Sequence, residues 1–563
     1  MRFPRFLLLA ASLLAVTILA QDIHLQHSDS GPDEGFGRVH MDISCLPAVA
    51  TDFDRALALL HNFWYVRALE RFNQILKNDP GCAMAYWGAA MTYNHPFWDP
   101  PSQADETAAW ALAQKGLSAP EASAREKLYL AAVAALYKDG GAGSKSTRDQ
   151  NYRDAMAAAY AQYPDDETAL FYGLSILGAI PEGSHGFAQQ EQAAKLFEAV
   201  YARHPDHPGA LHYLIHAYDD PEHAQQGLKA ARAYAQAAAA VAHALHMPSH
   251  IFTRLGYWDE SAATNLKGWE VSEADVKRAG ESGAYRDYHN LNYLEYAYIQ
   301  LGRFRDAQHT VDIAAAQYQA LPDKHIATDT PELQSRHVRG RTIYAVPDRV
   351  VYGYFDMLTR LLVEAGHWDD AAKIPLLVSS RDFVAVKLQW EAKAAAVRKD
   401  ATTAKAAAAK LVSLSQEQGQ HPFAKLIITL QAKEAEAFAA QAAGDADNAV
   451  MKLKEAVAIE DSIDDLSQPP YPVIPATELF GNLLLELNRP AEAAPFFRKT
   501  LQRTPNRPKA VFGLARAAQT LGDKAAARER YQEFLGIWKD ADSDRPEVAA
   551  AKEFLAKKLN GEK

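Results

Sequence analysis

The sequence contains few cysteines, no dense run of basic residues and no motif typical of common hydrolase or nucleotide sites. Only two of its 563 residues are cysteines, Cys45 and Cys82, and the formal net charge is −11. Without a Lys/Arg tract, nucleic acid and anionic membrane surfaces are poor candidates as partners. The sequence also lacks a Gly-x-Ser-x-Gly nucleophile elbow, a Rossmann fingerprint and a haem-attachment motif. The usual sequence signals of catalysis are therefore missing.

Long apolar runs are also missing, except at the N-terminus. Arg2 and Arg5 precede an uncharged run from Phe6 to Ala20, which is the pattern of a secretory signal and is short for a membrane span. We predict a signal peptide over residues 1–20, either cleaved after Ala20 or kept as an anchor. The mature chain is then expected in the periplasm or secreted, with no membrane span.

The two cysteines lie near the predicted mature N-terminus. In an oxidising compartment, such a pair favours one disulfide, and Cys45 and Cys82 would close a loop of about 37 residues. The alternative is two separate free thiols.

Small, aromatic and proline residues recur with a fixed spacing. Ala68, Phe72, Ile75 and Pro80 are separated by 4, 3 and 5 residues. The same spacing returns at Ala193, Phe197, Val200 and Pro205, and at Ala493, Phe497, Thr500 and Pro505. Elsewhere a glycine stands five residues before a small residue, at Gly256, Gly302, Gly366, Gly444 and Gly522. This pattern is typical of helix-turn-helix repeats, in which glycine forms the turn and proline ends the second helix.

The spacing resembles that of tetratricopeptide repeats (TPRs). The resemblance implies an all-α fold, a right-handed superhelical solenoid with a concave groove that holds a protein or peptide. Two stretches, Cys82–Gly88 and His246–His250 (His-Met-Pro-Ser-His), are similar to a group of large exported bacterial repeat proteins, which implies architecture and not activity. The predicted organisation is an N-terminal extension (21–50), repeats with a histidine-lined groove (51–320), an insertion (321–347), further repeats (348–467), a Pro-rich break (468–475) and C-terminal repeats (476–563).

Histidines are the residues most suggestive of chemistry. His212 and His216 are four residues apart, as are His246 and His250, and His289 follows. Residues four apart lie on one face of a helix, so each pair directs two imidazoles into the same space. Imidazole suits Zn²⁺, Cu²⁺ and Fe²⁺, and these five histidines are the predicted metal ligands. Alternatively, they provide a hydrogen-bonding surface for a peptide.

The resemblance also predicts which residues line the groove, mainly at positions 2, 5, 9, 12 and 13 of each repeat. Counted from the proline or glycine of each unit, the four paired histidines occupy positions 5 and 9, and His289 occupies position 2. By the same count, Asn292, Tyr296 and Asp356 line the groove. Tyr288 or Tyr296 could contact the ligands of a metal without binding the metal itself. Four other histidines lie outside the 5 and 9 pattern and are interpreted as surface or loop residues: His204, His207, His223 and His243.

Two functions of different classes are consistent with these residues, and a structural subunit of an envelope assembly is a third alternative. The first is a non-catalytic protein- or peptide-binding scaffold, with or without a metal in its groove. The second is a metal-dependent hydrolase or oxidoreductase that uses the histidines. His212 is not followed by the glutamate that a zincin protease needs, so zincin proteolysis is not indicated. Asp219, Asp220 and Glu222 could supply a carboxylate near a metal, or cap the helix near Pro221.

Overall fold

The computed structural model of the protein describes residues 35–97, 101–181, 184–321, 337–338, 341–342, 346–376, 380–420, 422–463 and 473–557. The predicted signal peptide (1–20) lies outside these residues, as do most of the predicted insertion (321–347) and most of the predicted Pro-rich break (468–475).

The described chain consists almost entirely of α-helices connected by short turns. The first helices are Ala50–His61, Tyr65–Asn78, Ala83–Met91, Gln103–Leu117, Ala124–Leu136, Lys138–Gly141, Lys145–Gln162 and Asp166–Gly178, preceded by a 3₁₀ turn at Pro47–Val49. The histidine-bearing helices and their neighbours are Ala188–Arg203, Pro208–Ala217, Ala224–Ala237, Ala242–His246, Pro248–Leu255, Trp258–Ala279, Tyr288–Gln300 and Phe304–Ala320, with a 3₁₀ turn at Gly283–Tyr285.

The second half of the chain continues in the same way after a small hairpin. Two antiparallel two-residue strands, His337–Val338 and Arg341–Thr342, pair with each other. The helices that follow are Val346–Ala365, Trp368–Lys373, Arg381–Val397, Ala401–Gln416, Pro422–Ala443, Ala446–Asp461, Ala476–Glu486, Pro490–Arg503, Pro508–Leu521, Lys524–Ile537 and Pro546–Ala556. Helices that follow one another in sequence pack together. The predicted all-α helical-repeat solenoid is confirmed.

Neighbouring helices approach closely where an aromatic ring meets a glycine. Phe72 is fully buried, and a Cβ added at Gly88 would overlap its ring. The same contact recurs at Phe197–Gly173 and Phe497–Gly481. Burying a phenylalanine side chain contributes roughly 1.5–3 kcal/mol, and interiors as dense as these tolerate no extra methyl group there. The aromatic positions of the sequence repeat are thus the contacts that hold neighbouring helices together.

Glycines form the turns that the sequence pattern predicts. Gly256 and Gly302 have φ angles of 68° and 73°, a left-handed conformation that other residues adopt only with strain. Gly366, Gly444 and Gly522 share this conformation. The turn allows the chain to reverse direction and the next helix to pack back against the one before it.

The C-terminal repeats fold back against the middle of the chain. Arg507 is buried and donates to Glu478 Oε2 at 2.6 Å and to Glu364 Oε1 at 2.8 Å. The Trp258 indole also donates to the Asn506 carbonyl at 2.9 Å. A buried cation shared by two carboxylates needs both partners, because removing either leaves an uncompensated charge. This network fixes the position of the C-terminal repeats.

Near the N-terminus, the structure joins Cys45 and Cys82, the pair for which the sequence predicts a disulfide. Their Cα atoms lie 4.6 Å apart and the bond closes a loop with a sequence separation of 37. The loop contains Ala50–His61 and Tyr65–Asn78, so the bond ties the first helical pair to the start of the next helix.

Within the described part of the chain, no helix is both long enough and apolar enough to cross a membrane.

Candidate metal centre

Six histidines converge in two groups of three. Cluster A comprises His212, His216 and His243, and cluster B comprises His246, His250 and His289. Within each cluster, one ring nitrogen from every histidine lies within 4.8 Å of the others. The five predicted ligands are therefore all present, but they are divided between two sites and joined by a sixth histidine.

In cluster A, one nitrogen faces two others. His212 Nδ1 lies 2.8 Å from the carbonyl oxygen of His61. A carbonyl only accepts, so Nδ1 carries the hydrogen and Nε2 of neutral His212 has a lone pair. Nε2 atoms of His216 and His243 each lie 3.2 Å from that atom. The single lone pair of His212 Nε2 cannot accept well from both neighbours at once. A metal ion with bonds of about 2.0–2.1 Å to each nitrogen would hold the nitrogens at roughly this separation.

In cluster B, hydrogen bonds determine the orientation of two of the three rings. The Asn265 amide donates to the Ser261 carbonyl at 2.8 Å, so its oxygen accepts from His246 Nδ1 at 2.8 Å. His250 Nδ1 donates to Asp219 Oδ2 at 2.7 Å. Because these acceptors hold both Nδ1 atoms, the Nε2 atoms of His246 and His250 face each other at 3.0 Å. A metal ion can accept both nitrogens as ligands at once.

The third member of cluster B approaches from the next helical unit. The His289 ring lies 4.4 Å from the His246 ring and 6.2 Å from the His250 ring, between centroids. His289 is the exposed member, near the start of the helix Tyr288–Gln300. Cluster B therefore has one side open to solvent.

Burial keeps the imidazoles of His212, His243 and His246 neutral. It lowers the pKa of His212 to about 3 and holds the pKa values of His243 and His246 well below their usual range, with neighbouring histidines adding to the effect. Metals bind the neutral imidazole, so these residues need lose no proton before they act as ligands.

The Asp219 carboxylate contacts cluster B through a hydrogen bond from His250 Nδ1. Arg254 Nε donates to Asp219 Oδ1 at 2.9 Å while the other Asp219 oxygen holds His250. Burial alone would raise the pKa of Asp219, but Arg254 and His250 outweigh it and lower that pKa to about 2. The ionised carboxylate orients the imidazole, as in the carboxylate–histidine pairs behind many metal ligands. Of the three acidic residues near Pro221, Asp219 has this role, while Asp220 caps the turn through Glu222 N and His223 N.

The interpretation of His243 as a surface or loop residue is wrong. Its side chain belongs to cluster A because the helix Ala242–His246 begins just before it. Counted from Gly256, His243 is at position 2, the position that His289 occupies in the next unit. That shared position is the sequence signal that identifies both residues. His207 is likewise buried, with an exposed fraction of 4%.

Pro248 lies between the two histidines of cluster B without separating them. It begins the helix Pro248–Leu255, and Met247, between the two helices, keeps helical angles of φ −54° and ψ −37°. Proline at a first helical position is compatible with the helix. The helical path is thus nearly continuous, and the pair converges.

Two of the predicted groove residues lie in the core instead. Tyr288 packs edge-on against Trp269 and Tyr296 packs edge-on against Trp258, with exposed fractions of 5% and 1%. Large rings bury more apolar surface in the core than in a groove, which explains the difference. Tyr293, which the sequence pattern does not single out, has ring centroid distances of 4.7, 5.1 and 5.0 Å to the three rings of cluster B.

The other two predicted groove residues form a polar network of their own. Asn292 donates to Asp356 Oδ2 at 2.7 Å and accepts from Arg360 at 3.0 Å. Arg360 also donates to Glu295 Oε2 at 2.7 Å. Burial raises the pKa of Glu295 to about 8 against the opposing effect of Arg360. This network connects two helices and is distinct from the histidine clusters.

A third buried group, formed by His61, Glu167 and His207, is already satisfied by hydrogen bonds. Glu167 accepts from His61 Nε2 at 2.8 Å and from His207 Nε2 at 3.0 Å. The remaining His61 nitrogen accepts from the Tyr213 hydroxyl at 2.9 Å. Every ring nitrogen of His61 and His207 thus has a hydrogen-bonding partner, since His207 Nδ1 accepts from Ala210 N, and the group needs no ion. It supports cluster A through the His61 carbonyl that holds His212.

Aromatic rings enclose cluster A. Phe97 stacks on His216 at 4.1 Å, and Phe63 lies 4.4 Å from the His212 ring. Phe63 has a φ of 56°, and it stands five residues before Ala68, where other repeats have their turn glycine. A bulky residue in this conformation carries strain of about 1–3 kcal/mol, and such strain tends to occur at functional sites.

We predict that Phe63→Gly is more stable than Phe63→Ala by about 1 kcal/mol, because only glycine adopts a positive φ without cost. Both variants lose the buried ring and should be less stable than the natural protein. Urea unfolding of both variants measures the difference. The same two substitutions at Phe72, which lies inside the helix Tyr65–Asn78, are the control. There the alanine variant should be more stable than the glycine variant. Equal stability of the two Phe63 variants would contradict the strain argument.

The C-terminal part of the chain matches a known repeat family. Residues 484–553 match the family model described as Tetratricopeptide repeat. No curated protein sequence matches the chain. Similar solved structures include a tetratricopeptide repeat protein from Parabacteroides merdae (10% identity, TM-score 0.31, 56% of this chain and 97% of that chain). They also include a human IFIT1 dimer with m7Gppp-AAAA (12%, 0.35, 82% and 90%) and the Cut9–Hcn1 hetero-tetramer of the APC/C (11%, 0.27, 77% and 83%). The resemblance to tetratricopeptide repeats thus rests on the match of residues 484–553.

Proposed function

We propose that this protein is an exported helical-repeat protein that binds transition-metal ions at clusters A and B. The observation that carries the proposal is the pair of Nε2 atoms of His246 and His250, which face each other at 3.0 Å. Asn265 and Asp219 occupy both Nδ1 atoms, so each imidazole can offer only Nε2 to a common partner. Three imidazoles with fixed orientations are a ligand set suited to Zn²⁺, copper or Fe²⁺.

The fold also supports a more general function. Tetratricopeptide-like architecture suggests a protein-binding scaffold, because stacked repeats present extended surfaces. A peptide ligand in the groove remains a prediction from the resemblance, as does the likeness to exported repeat proteins with the His-Met-Pro-Ser-His stretch. The contacts of the histidines favour a metal over a peptide, because the Nδ1 atoms of His212, His246 and His250 are held from within the protein.

Metal content tests the proposal directly. Untagged protein incubated with Zn²⁺ or Cu²⁺ and then desalted should retain one ion per cluster by elemental analysis. His212→Ala/His216→Ala should lose the ion of cluster A alone, and His246→Ala/His250→Ala that of cluster B alone, because each pair supplies most of its site. His204→Ala/His309→Ala is the control, since neither residue belongs to a cluster. The proposal would be contradicted if the natural protein retained no metal, or if both cluster variants kept the metal content of the natural protein.

The carboxylate behind cluster B should tune affinity without contacting the ion. Asp219→Asn is expected to weaken binding at cluster B about 10- to 100-fold, while cluster A keeps its affinity. Titration against a competing chelator, with His212→Ala/His216→Ala as background, isolates cluster B. Asp220→Asn is the matched control, because Asp220 contacts His223 and neither cluster. Equal affinities for the two variants would show that Asp219 does not act on the metal.

Export is supported by the N-terminal sequence and by the disulfide Cys45–Cys82, a bond that persists in oxidising compartments. We expect the protein in the envelope or secreted fraction, with Gln21 as its first residue. Fractionation followed by mass spectrometry of the intact chain checks both points. Recovery in the cytoplasm with free thiols would contradict export, and an envelope protein that still begins at Met1 would indicate a retained anchor.

A further inference from the structure

The two clusters are neighbours because a single helix contributes to both. His243 of cluster A and His246 of cluster B are three residues apart in the helix Ala242–His246. Side chains with this spacing lie on the same face, with Cβ atoms about 5–6 Å apart. Their ring centroids are 6.2 Å apart. The two clusters are therefore adjacent.

The ligands of both sites are uncharged. The members of each cluster are all histidines, and the carboxylate nearest to them by hydrogen bonding, Asp219, lies behind His250 and is paired with Arg254. Repulsion between two doubly charged ions is about four times that between two singly charged ions at the same distance. With no carboxylate among the ligands to offset it, a neighbouring pair of monovalent ions is favoured. Cu(I) combines a single charge with an affinity for imidazole.

We propose that clusters A and B form one binuclear copper centre that binds dioxygen between its two ions. Two metal ions at neighbouring sites can hold the two ends of one small ligand. In the binding step, each Cu(I) gives up one electron and becomes Cu(II). Dioxygen gains these two electrons and becomes peroxide bound to both ions, with its O–O bond intact and no proton transferred.

The surroundings suit a small, uncharged ligand. Phe63 and Phe97 cover cluster A, and Tyr293 contacts all three rings of cluster B. These apolar faces limit the water near the ions. His289 is exposed, so the route to the centre opens on the side of cluster B.

This inference rests on the proposed metal binding, and one experiment separates the two. Untagged protein is loaded with Cu(I) without oxygen, and its copper content is measured. Oxygen is then added while its uptake and the electron paramagnetic resonance (EPR) signal are recorded. His289→Ala removes one exposed ligand of cluster B and leaves cluster A complete. His309→Ala, also exposed and outside both clusters, is the control.

We expect one dioxygen bound for each pair of copper ions, and an EPR signal far smaller than the copper content, because two bridged Cu(II) ions couple their spins. His289→Ala should lose oxygen binding and, once oxidised, show the full signal of an isolated Cu(II). Copper in both clusters with a full EPR signal in the natural protein would overturn the binuclear centre and leave metal binding intact. Failure to retain copper or zinc at all would overturn both proposals.

Discussion

The close approach of neighbouring helices is the constraint on which the rest of this structure depends. Glycine at the contact point of Phe72, and again at that of Phe497, removes the side chain that would hold the helices apart. The same device operates at the histidines. A Cβ at Gly209 would overlap the His61 ring, so the helix Pro208–Ala217 can lie close enough for His212 to reach the His61 carbonyl. Packing between repeats thus determines which imidazole nitrogen remains available.

The histidine clusters illustrate how a repeat scaffold creates a site from several helices. No single repeat contains a complete cluster, since cluster A draws on the helices Pro208–Ala217 and Ala242–His246, and cluster B on three helices. Three of the rings, those of His246, His250 and His212, are oriented by hydrogen bonds that they donate to Asn265, Asp219 and the His61 carbonyl. Such preorganisation lowers the cost of binding an ion, because the ligands are already oriented.

Local features of the sequence predict much of this arrangement. Repeats make local contacts, so the spacing of Ala68, Phe72 and Ile75 is enough to predict their burial. The His212/His216 pair follows from helical geometry for the same reason. The division into two clusters does not, because it depends on contacts between distant parts of the chain, such as His212 with the His61 carbonyl, 151 residues apart in sequence. The burial of Tyr288 and Tyr296 also depends on packing between helices, which groove positions counted within one repeat do not describe.

The most direct test of the central claim is X-ray diffraction from crystals of copper-loaded protein, recorded at the copper absorption edge. An anomalous difference map locates the ions without assumptions about their ligands. We predict two peaks, one within bonding distance of the Nε2 atoms of His212, His216 and His243, and the other similarly placed in cluster B. A map with no peak at either cluster, or with its peak at the satisfied group around Glu167, would contradict the account.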